Sequence, residues 1–380
     1  ALQSWKIAGN NIFTTWAAMV DPGKPLPEYP RPQMQRNSWI NLNGLWDYAV
    51  TPVSGKRPGA YEGKILVPYA IESALSGVGK EVGKNNNLWY KTKFALPKNR
   101  GGKRVLLHFG AVDWQCTVFV NGKKVGTHSG GYDPFYFDIT DHLKKGQQEL
   151  EIQVWDPTDE GPQPRGKQVK SPNSIWYTAV TGIWQTVWLE MVNAAHIQGI
   201  NPLPDIDKNA ISIETDLGGS KKGDQLKISI SAEGKAVAEQ LADAGSLAKI
   251  QLQNVKRWSP ATPYLYDLKI QLLRNGKVLD EVTSYFAMRK ISMGPDKNGV
   301  QRLLLNNEIL FQFGMLDQGW WPAGLYTAAT DEALQFDIIK SKEMGFNMLR
   351  KHVKVEPARW YYHCDKLGML VWQDMPSGDM

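Results

Sequence analysis

The hydrophobic pattern of this chain changes its period near residue 300, and this change constrains the fold more than any other feature. From Trp39 to about residue 290, apolar residues fall in many short runs separated by Gly, Pro, Asn and Asp. Beyond residue 300, short apolar runs alternate with stretches of helical periodicity. The first pattern is typical of antiparallel sandwiches, and the second of a parallel βαβαβ unit. The sequence therefore predicts two all-β sandwiches followed by an α/β segment.

The first all-β stretch extends from Trp39 to about Val192 and has almost no helical periodicity. Its clearest predicted strands are residues 45–50, 89–94, 104–109 and 116–120. The last run leads into Asn121 and Gly122, a strong hairpin signal, and strand resumes near Val125. We predict a sandwich of the jelly-roll kind. The preceding 38 residues are rich in Pro and are predicted to form an extended arm.

The second all-β stretch extends from about Ala195 to Lys290. Its alternating runs include residues 210–215, 226–230 and 265–272. Its size of about 95 residues and about six alternating strands suit an immunoglobulin-like sandwich, although it lacks the paired cysteines of antibody domains.

The segment after residue 300 reads as strand, helix, strand, helix, strand. Residues 311–316 are predicted to be a buried strand, and residues 346–350 and 369–374 the next two. Thr330 is a predicted cap for a helix that ends at Gly345, and Pro357 opens a second helix that ends at Gly368. The first helix carries apolar residues at Ala333, Leu334, Ile338, Ile339 and Met344.

Both doubly wound sheets and β/α barrels begin in this way. No glycine-rich phosphate loop follows the first strand, which disfavours a nucleotide site. A barrel with three strands would leave apolar strands unpaired. We therefore expect the chain to be the front part of a longer protein.

Composition narrows the function classes. The chain has 44 basic and 38 acidic residues, and its formal charge of +6 is scattered without a long basic block, so nucleic acid is not expected as a partner. No run of eighteen apolar residues occurs, so no membrane span is predicted. Cys116 and Cys364, the only cysteines, predict neither a disulfide framework nor a metal site. Fifteen Trp and fourteen Tyr suit sandwich cores, and some could stack on sugar rings.

Several motifs together carry a resemblance to a known family. They are residues 42–46, 67–73, 107–110, 121–122, 130–135 and 182–190 in the first stretch, 258–266 and 285–289 in the second, and 345–350 and 364–372 in the third. In these motifs the chain resembles the N-terminal part of glycoside hydrolase family 2 enzymes, which include β-galactosidases, β-glucuronidases and β-mannosidases. The resemblance implies an arm and jelly-roll, sugar-binding-like domain over residues 1–193 and an immunoglobulin-like domain over 194–290. Residues 291–380 would then begin a (β/α)8 TIM barrel.

The resemblance also implies a retaining glycosidase, in which two carboxyl groups lie about 5 Å apart. In that family both are glutamates placed after the fourth and seventh barrel strands. The acid/base and the nucleophile are therefore expected beyond Met380, and no catalytic residue is expected within this chain. Glu343, predicted on a surface helix, and Glu356, predicted in a loop, are not expected to replace them.

Substrate-binding residues are expected at the carboxyl ends of the strands. Arg350 matches a family arginine that hydrogen-bonds the nucleophile, and its alternative is a structural ion pair. Asp374 could bond a sugar hydroxyl or hold a cation, or only orient its neighbours. Trp320 and Trp321 could form a stacking wall for a sugar or pack on the first domain. Asp317 and Gln318 could belong to the site or cap a loop. His352 is the last candidate, and it is offset from the histidine of known β-galactosidases.

The identity of the substrate sugar is not decided among the groups of the family. β-Galactosidase is the first expectation. Residues 372–374 resemble those of β-mannosidases. Lys351 and Lys354 could favour a uronic acid, although surface solvation is the simpler interpretation of both lysines. A non-catalytic carbohydrate-binding or scaffold protein is the alternative to an enzyme. No cofactor is expected, apart from a divalent or alkali cation through Asp374. A carbohydrate substrate, a homo-oligomer and a periplasmic or extracellular location complete the predictions.

Overall fold

The computed structural model describes residues 5–9, 12–98 and 100–378. Its first β-rich region contains twelve strands. These are β1 Trp39–Asn41, β2 Gly44–Pro52, β3 Gly63–Val67, β4 Asn86–Phe94, β5 Arg104–Phe109, β6 Val112–Asp113, β7 Gln115–Val120, β8 Lys123–Ser129, β9 Phe135–Asp138, β10 Gln148–Trp155, β11 Gly182–Ile183 and β12 Val187–Val192. The predicted hairpin joins β7 to β8, with Asn121 and Gly122 both at positive φ (51° and 79°) as a tight turn requires.

Two antiparallel sheets of this region pack face to face. One has the order β1-β12-β5-β9, and the other has the order β3-β2-β4-β10-β7-β8. Inward-facing side chains such as Trp46, Leu107 and Ile152 are buried in one apolar core between them. Alternation of apolar residues along each strand places them on the same face of a sheet, so the period-2 pattern of the sequence produces this core.

Two details of the first region differ from the sequence prediction. The single closing strand predicted over residues 182–190 is divided into β11 and β12, because β11 pairs with β6 whereas β12 pairs with β5 and β1. The predicted extended arm contains a short 3₁₀ helix, Thr15–Met19, and its Ala17 is buried in a small core with Tyr69 and Leu75. Residues 1–4, 10 and 11 of the arm lie outside the described residues.

The second region is a sandwich of seven strands. These are β13 His196–Asp205, β14 Ala210–Gly218, β15 Gln225–Ala232, β16 Lys235–Asp243, β17 Ala248–Gln251, β18 Tyr266–Arg274 and β19 Lys277–Phe286. They form the sheets β13-β14-β17 and β16-β15-β18-β19 around a core that includes Ile213, Ile228 and Ile270. Arg36 of the arm ties the two sandwiches together, because its guanidinium lies 2.9 Å from Glu190 and 2.7 Å from Asp280.

The last region begins with a small antiparallel sheet and ends with a parallel one. Its elements are β20 Ile291–Pro295, β21 Gln301–Leu305, β22 Glu308–Ile309, β23 Gly314–Asp317, α1 Asp331–Glu343, β24 Met348–Lys351, α2 Ala358–Leu367 and β25 Leu370–Gln373. Strands β23, β24 and β25 are parallel neighbours, so the βαβαβ prediction is confirmed. The core beneath them contains Leu349, Ile338 and Trp360.

The ends of both helices follow from local chemistry. The Thr330 hydroxyl accepts a hydrogen bond from the Ala333 amide at the start of α1. Pro357 precedes the first residue of α2, and Gly368 ends that helix at a φ of 81°, which favours glycine. Thr330, Pro357 and Gly368 thus lie at the helix ends where they were predicted, whereas α1 ends at Glu343, two residues before the predicted Gly345.

The predicted buried strand over residues 311–316 was wrong in its bounds and its burial. Strand β23 begins only at Gly314, the Phe311 side chain is 80% exposed, and Phe313 and Leu316 are exposed as well. Within the described residues, β23 pairs with β24 alone. Ile339 and Met344, counted in the apolar pattern of α1, are also exposed. Apolar composition alone did not distinguish the packed face from the open one.

Among the described residues, no helix is long and apolar enough to span a membrane.

Candidate functional site

The carboxyl ends of the three parallel strands bring the predicted polar residues to one edge of the sheet. In register, Asp317 of β23 lies opposite Lys351 of β24, which lies opposite Gln373 of β25. The next residues, Gln318, His352 and Asp374, therefore leave the sheet at the same edge. Ligands of parallel α/β sheets bind at this edge, because the loops there converge.

Arg350, His352 and Asp374 form one hydrogen-bonded group. Arg350 Nε donates to Asp374 Oδ1 at 3.0 Å, and Arg350 Nη2 lies 3.0 Å from Asp374 Oδ2. His352 Nδ1 lies 3.0 Å from the same Oδ2. Hydrogen bonding from Arg350, and then from His352, holds the pKa of Asp374 below its usual value despite partial desolvation. The Asp374 carboxylate is thus kept ionised and oriented.

Arg350 remains partly available to a ligand, because 49% of its side chain is exposed. A guanidinium that presents a free edge beside a bound carboxylate can donate further hydrogen bonds to a second carboxylate or to a sugar hydroxyl. The structure therefore contains the ion pair that was the alternative interpretation of Arg350. That pair leaves the predicted binding role untested.

A buried charge cluster lies beside this group, and the sequence did not reveal it. Lys351 Nζ lies 2.8 Å from Asp317 Oδ2 and 2.9 Å from Glu356 Oε1, and Lys354 Nζ lies 2.9 Å from the same Glu356 oxygen. Only 1% of either lysine side chain is exposed. We call Asp317, Lys351, Lys354 and Glu356 the lysine cluster.

Surface solvation, the simpler interpretation of Lys351 and Lys354, was therefore wrong. Residues two apart in a strand share a face, and Leu349 of β24 is buried, so Lys351 is buried with it. That spacing was the signal available in the sequence. Lys354 is held by the carbonyl oxygens of Tyr326 at 2.8 Å and Gly319 at 2.6 Å.

The two lysines differ in their electrostatics. Burial lowers the pKa of Lys354 to about 8, and attraction to Glu356 offsets this only in part. Burial also disfavours the charged form of Lys351, but Glu356 and Asp317 outweigh it and raise its pKa. The difference arises because Lys351 contacts two carboxylates, whereas Lys354 contacts one and otherwise neutral carbonyls.

Trp320, Trp321 and Gln318 join the strand ends to the first region. The Trp320 ring stacks on Tyr177 at 4.3 Å between centroids, and the Trp321 ring meets Trp16 edge-on at 6.4 Å. Gln318 Oε1 accepts a hydrogen bond from Lys167 Nζ at 2.9 Å. All three residues contact the first region or its arm. For Trp320 and Trp321 this is the packing named above as the alternative to a stacking wall, whereas Gln318, considered as a site residue or a loop cap, bonds Lys167 of the first region.

A cleft of about 320 Å³ opens at the same strand ends. Its lining includes Asp317, Gln318, Trp320, Trp321 and Tyr177. The predicted residues thus fall into two groups, one lining this cleft and one formed by Arg350, His352 and Asp374. Among the described residues, no group of three or more His, Cys, Asp or Glu side chains is arranged to hold a metal ion.

Neither glutamate set aside as a catalytic candidate has an environment suited to that role. Glu343 is on the exposed surface of α1, where it pairs with Lys340 at 2.6 Å. Glu356 is buried, not in an open loop, and one of its oxygens is held by both lysines. The predicted position of the catalytic pair, beyond Met380, lies outside the described residues.

Comparison with models of protein families finds two matches in this chain. Residues 73–184 match the glycosyl hydrolase 2 galactose-binding domain-like model, and residues 195–289 match the model of glycosyl hydrolases family 2. These two matches fall on the first and second sandwiches in the order that the family has, and together they cover more than half of the chain. The chain belongs to glycoside hydrolase family 2.

Curated relatives carry two different activity names. A β-galactosidase from Thermoanaerobacter pseudethanolicus is 29% identical over 302 residues, which are 76% of this chain and 39% of that protein. A β-glucuronidase from Formosa agariphila is 27% identical over 323 residues, which are 77% of this chain and 32% of that protein. This chain thus spans well under half the length of these relatives.

Solved structures share the fold. The β-glucuronidase of Bifidobacterium dentium, complexed with coumarin-3-O-glucuronide, superposes with a TM-score of 0.75 at 22% identity over 92% of this chain and 62% of that one. A β-glycosidase from Bacteroides vulgatus superposes with a TM-score of 0.71 at 22% identity over 88% of this chain and 44% of that one. At this identity the likeness establishes the fold alone.

Proposed function

We propose that this chain is part of an exo-acting, retaining β-glycosidase of family 2 in carbohydrate catabolism. The observation that carries the proposal is the group formed by Arg350, His352 and Asp374 at the carboxyl ends of three parallel strands. The family assignment and the names of the relatives support it. We propose further that β23 to β25 begin a (β/α)8 barrel, with domains over residues 1–193, 194–290 and 291–380.

The catalytic acid/base and nucleophile are proposed to follow Met380 in a longer protein. In a retaining mechanism, one carboxylate attacks the anomeric carbon while the other protonates the leaving oxygen, and the two stand about 5 Å apart. Arg350 would hold the attacking carboxylate ionised through its exposed guanidinium edge. His352 and Asp374 would form hydrogen bonds with sugar hydroxyls, and Trp320 and Trp321 would form a wall of the sugar site.

A β-galactoside is the substrate that we propose first. A uronic acid would need a cation near its carboxylate. Lys351 and Lys354, which could have served, are buried and already paired, which leaves the half-exposed Arg350 at the strand ends. A β-glucuronide is the second candidate, since relatives and fold neighbours carry the β-glucuronidase name. A β-mannoside is third, on the resemblance of residues 372–374.

Hydrolysis of aryl β-glycosides tests the proposal. We would compare the galactoside, glucuronide, mannoside and glucoside, with this 380-residue chain beside the longer gene product. We expect turnover by the longer protein alone, fastest with the galactoside, without added cofactor or metal. Turnover by the 380-residue chain would place the chemistry elsewhere. Sugar binding without turnover by the longer protein would indicate a carbohydrate-binding protein.

An Arg350→Met variant of the longer protein sharpens the test. Loss of a hydrogen bond made to the reacting carboxylate should lower kcat/KM by about 100-fold, mostly through kcat. Arg302→Met is the matched control, because Arg302 forms a surface pair with Asp296 in a different sheet. Equal activity of both variants would contradict the role proposed for Arg350.

We also propose a location and an assembly state for the longer protein. An enzyme that degrades polymer-derived sugars suits a periplasmic or extracellular location, and cell fractionation would test it. A homo-oligomer is proposed as well, and light scattering coupled to size exclusion would measure its mass.

A further inference from the structure

The chain contains four Asn-Gly pairs, at residues 43–44, 121–122, 275–276 and 298–299. In such a pair the main-chain nitrogen of the glycine can attack the side-chain amide carbon of the asparagine, because glycine has no Cβ to obstruct the approach. This reaction, deamidation, converts asparagine to aspartate or isoaspartate without an enzyme. In a folded protein its rate depends on whether the two reacting groups are free to meet, and the four pairs differ in this respect.

Two of the pairs have a reacting group that is held in place. Asn43 Nδ2 donates to Thr186 Oγ1 at 3.2 Å, and Asn43 Oδ1 accepts from the Val187 amide at 3.1 Å. In the last pair, the Gly299 amide donates to the Asp296 carbonyl at 2.9 Å. The Asn43 side chain therefore does not rotate freely, and the Gly299 nitrogen must give up its hydrogen bond before it can lose its proton.

The other two pairs are matched in sequence and in backbone. Both belong to the tripeptide Asn-Gly-Lys at the tip of a hairpin, with Asn121 between β7 and β8 and Asn275 between β18 and β19. The φ angle is 51° at both asparagines, and it is 79° and 74° at the glycines that follow them. Positive angles at both positions are what a two-residue hairpin turn requires. A difference in reactivity between these pairs must therefore come from the side chains and their surroundings.

The Asn121 side chain is held through both atoms of its amide. Nδ2 donates to the His142 carbonyl and to Gln148 Oε1, each at 2.9 Å, and Oδ1 accepts from the Glu149 amide at 3.0 Å. To turn its Cγ towards the Gly122 nitrogen, Asn121 would have to break these hydrogen bonds. The surroundings of the β7–β8 turn therefore protect its asparagine.

The Asn275 side chain is not held in this way. It is exposed, and within the part of the chain that the structure describes neither atom of its amide forms a hydrogen bond with another residue. A Cβ added to Gly276 would meet no atom within 4 Å, so the attacking nitrogen also has open space around it. Rotation of the Asn275 side chain therefore breaks no hydrogen bond, and only the backbone at the tip of the hairpin has to adjust.

We propose that Asn275 is the asparagine at which the folded chain deamidates first. A hydroxide ion or a buffer base removes the Gly276 amide proton, and the nitrogen forms a bond with Asn275 Cγ. The Cγ–Nδ2 bond breaks, and the departing nitrogen takes up a proton and leaves as ammonia. Water then opens the cyclic imide. Its addition at Cγ gives aspartate, and its addition at the main-chain carbonyl carbon gives isoaspartate.

Either product changes the second sandwich at an exposed turn. A carboxylate replaces a neutral amide, so the modified chain has a lower net charge and separates from the parent by ion exchange. Isoaspartate also adds a methylene group to the backbone between β18 and β19. This inference does not rest on the proposed glycosidase activity, because it concerns only groups within this chain.

Peptide mapping by mass spectrometry tests the proposal. The 380-residue chain is incubated in mildly alkaline buffer, and the acid form of each Asn-Gly peptide is followed with time. We expect Asn275 to react at least about tenfold faster than Asn121, because each hydrogen bond that Asn121 must break lowers the population able to react. In the same chain unfolded in guanidinium chloride, the two Asn-Gly-Lys sites should react at nearly the same rate.

Two variants confirm the position. Asn275→Ser lacks the reacting carbon and should lose the early acidic isoform, whereas Asn298→Ser, at another exposed turn, should keep it. The unfolding midpoint shows whether each variant is folded, and Asn275→Asp provides the aspartate product as a reference in ion exchange. Reaction of any other Asn-Gly pair as fast as Asn275 in the folded chain would overturn the proposal. An Asn275 that reacts only after unfolding would overturn it as well.

Discussion

Two clusters of buried ionisable groups in this molecule differ in how the cost of burying charge is compensated. In the first region, Glu72, Asp113 and Asp156 interact with one another, and the hydrogen bonds that they accept from Thr181 and Gln168 come from neutral donors. In the lysine cluster, two carboxylates are matched by two ammonium groups. We call the first group the acid cluster.

The difference is one of protonation. Burial raises the pKa of Glu72 to about 8 and that of Asp156 to about 6, and repulsion among the carboxylates adds to the effect. The acid cluster is therefore compensated by bound protons, whereas the lysine cluster is compensated by pairing carboxylates with ammonium groups. Desolvated charges need either a proton or a partner, and each region has adopted one solution.

The largest effect should come from breaking the lysine cluster. Lys351→Met leaves Asp317 and Glu356 with one cation fewer in a buried site, and we expect a loss of about 3–5 kcal/mol in the free energy of unfolding. Urea unfolding of the 380-residue chain measures it. Lys340→Met, which removes a surface pair with Glu343, should leave the midpoint unchanged. A Lys351→Met midpoint equal to that of the control would show that the pairing contributes no stability.

The next effect concerns the acid cluster and pH. Because the folded pKa of Glu72 is raised, the folded chain binds more protons than the unfolded chain between about pH 4.5 and 8. The stability that this provides is complete at low pH and is lost as pH rises. Between pH 5 and pH 8, the parent should lose about 2–4 kcal/mol more than Glu72→Gln, at about 1.4 kcal/mol per pKa unit. Parallel losses in both proteins would contradict the assignment.

A smaller effect of opposite sign is expected from Lys354. Its folded pKa of about 8 lies below the value of 10.5 for a free lysine, so the unfolded chain binds the extra proton between these values. Stability from this group therefore rises with pH through the same window. Between pH 8 and pH 10, the parent should gain about 2 kcal/mol relative to Lys354→Met in chemical unfolding. A constant difference between the two proteins would show that the Lys354 pKa is not lowered.

The smallest effect on stability should come from the Arg350 and Asp374 pair. Arg350 is half exposed, and water screens such pairs strongly. Arg350→Met should leave the unfolding midpoint of the 380-residue chain within experimental error of the parent. A large drop would assign this pair to the structural role and remove the reason to expect a ligand there.

Local sequence patterns predicted most of the secondary structure because they act over a few residues. Short apolar runs predicted β5 and β7 nearly to the residue, Asn121 and Gly122 predicted the hairpin between β7 and β8, and Thr330 predicted the start of α1. Each of these signals depends on backbone geometry within one turn or one strand.

The candidate site was only partly predictable. Arg350 and Asp374 were named because they close predicted parallel strands, and the family resemblance drew attention to Arg350 and His352. The structure brings all three into contact. The lysine cluster was missed because charge suggests solvent, and its burial depends on Asp317 and Glu356, which reach Lys351 from a neighbouring strand and a loop. The exposure of Phe311 was missed for the converse reason, since an apolar run does not reveal whether a partner covers it.

The sequence by itself determined the order of the strands and helices, the caps and turns, and the family to which the chain belongs. Tertiary structure alone decided which charges are buried and how they are compensated. It also decided which side chains meet, because the acid cluster and the lysine cluster are both assembled from residues on separate elements of the chain. Desolvation acts through the surroundings of a group in three dimensions, and a linear pattern does not contain those surroundings.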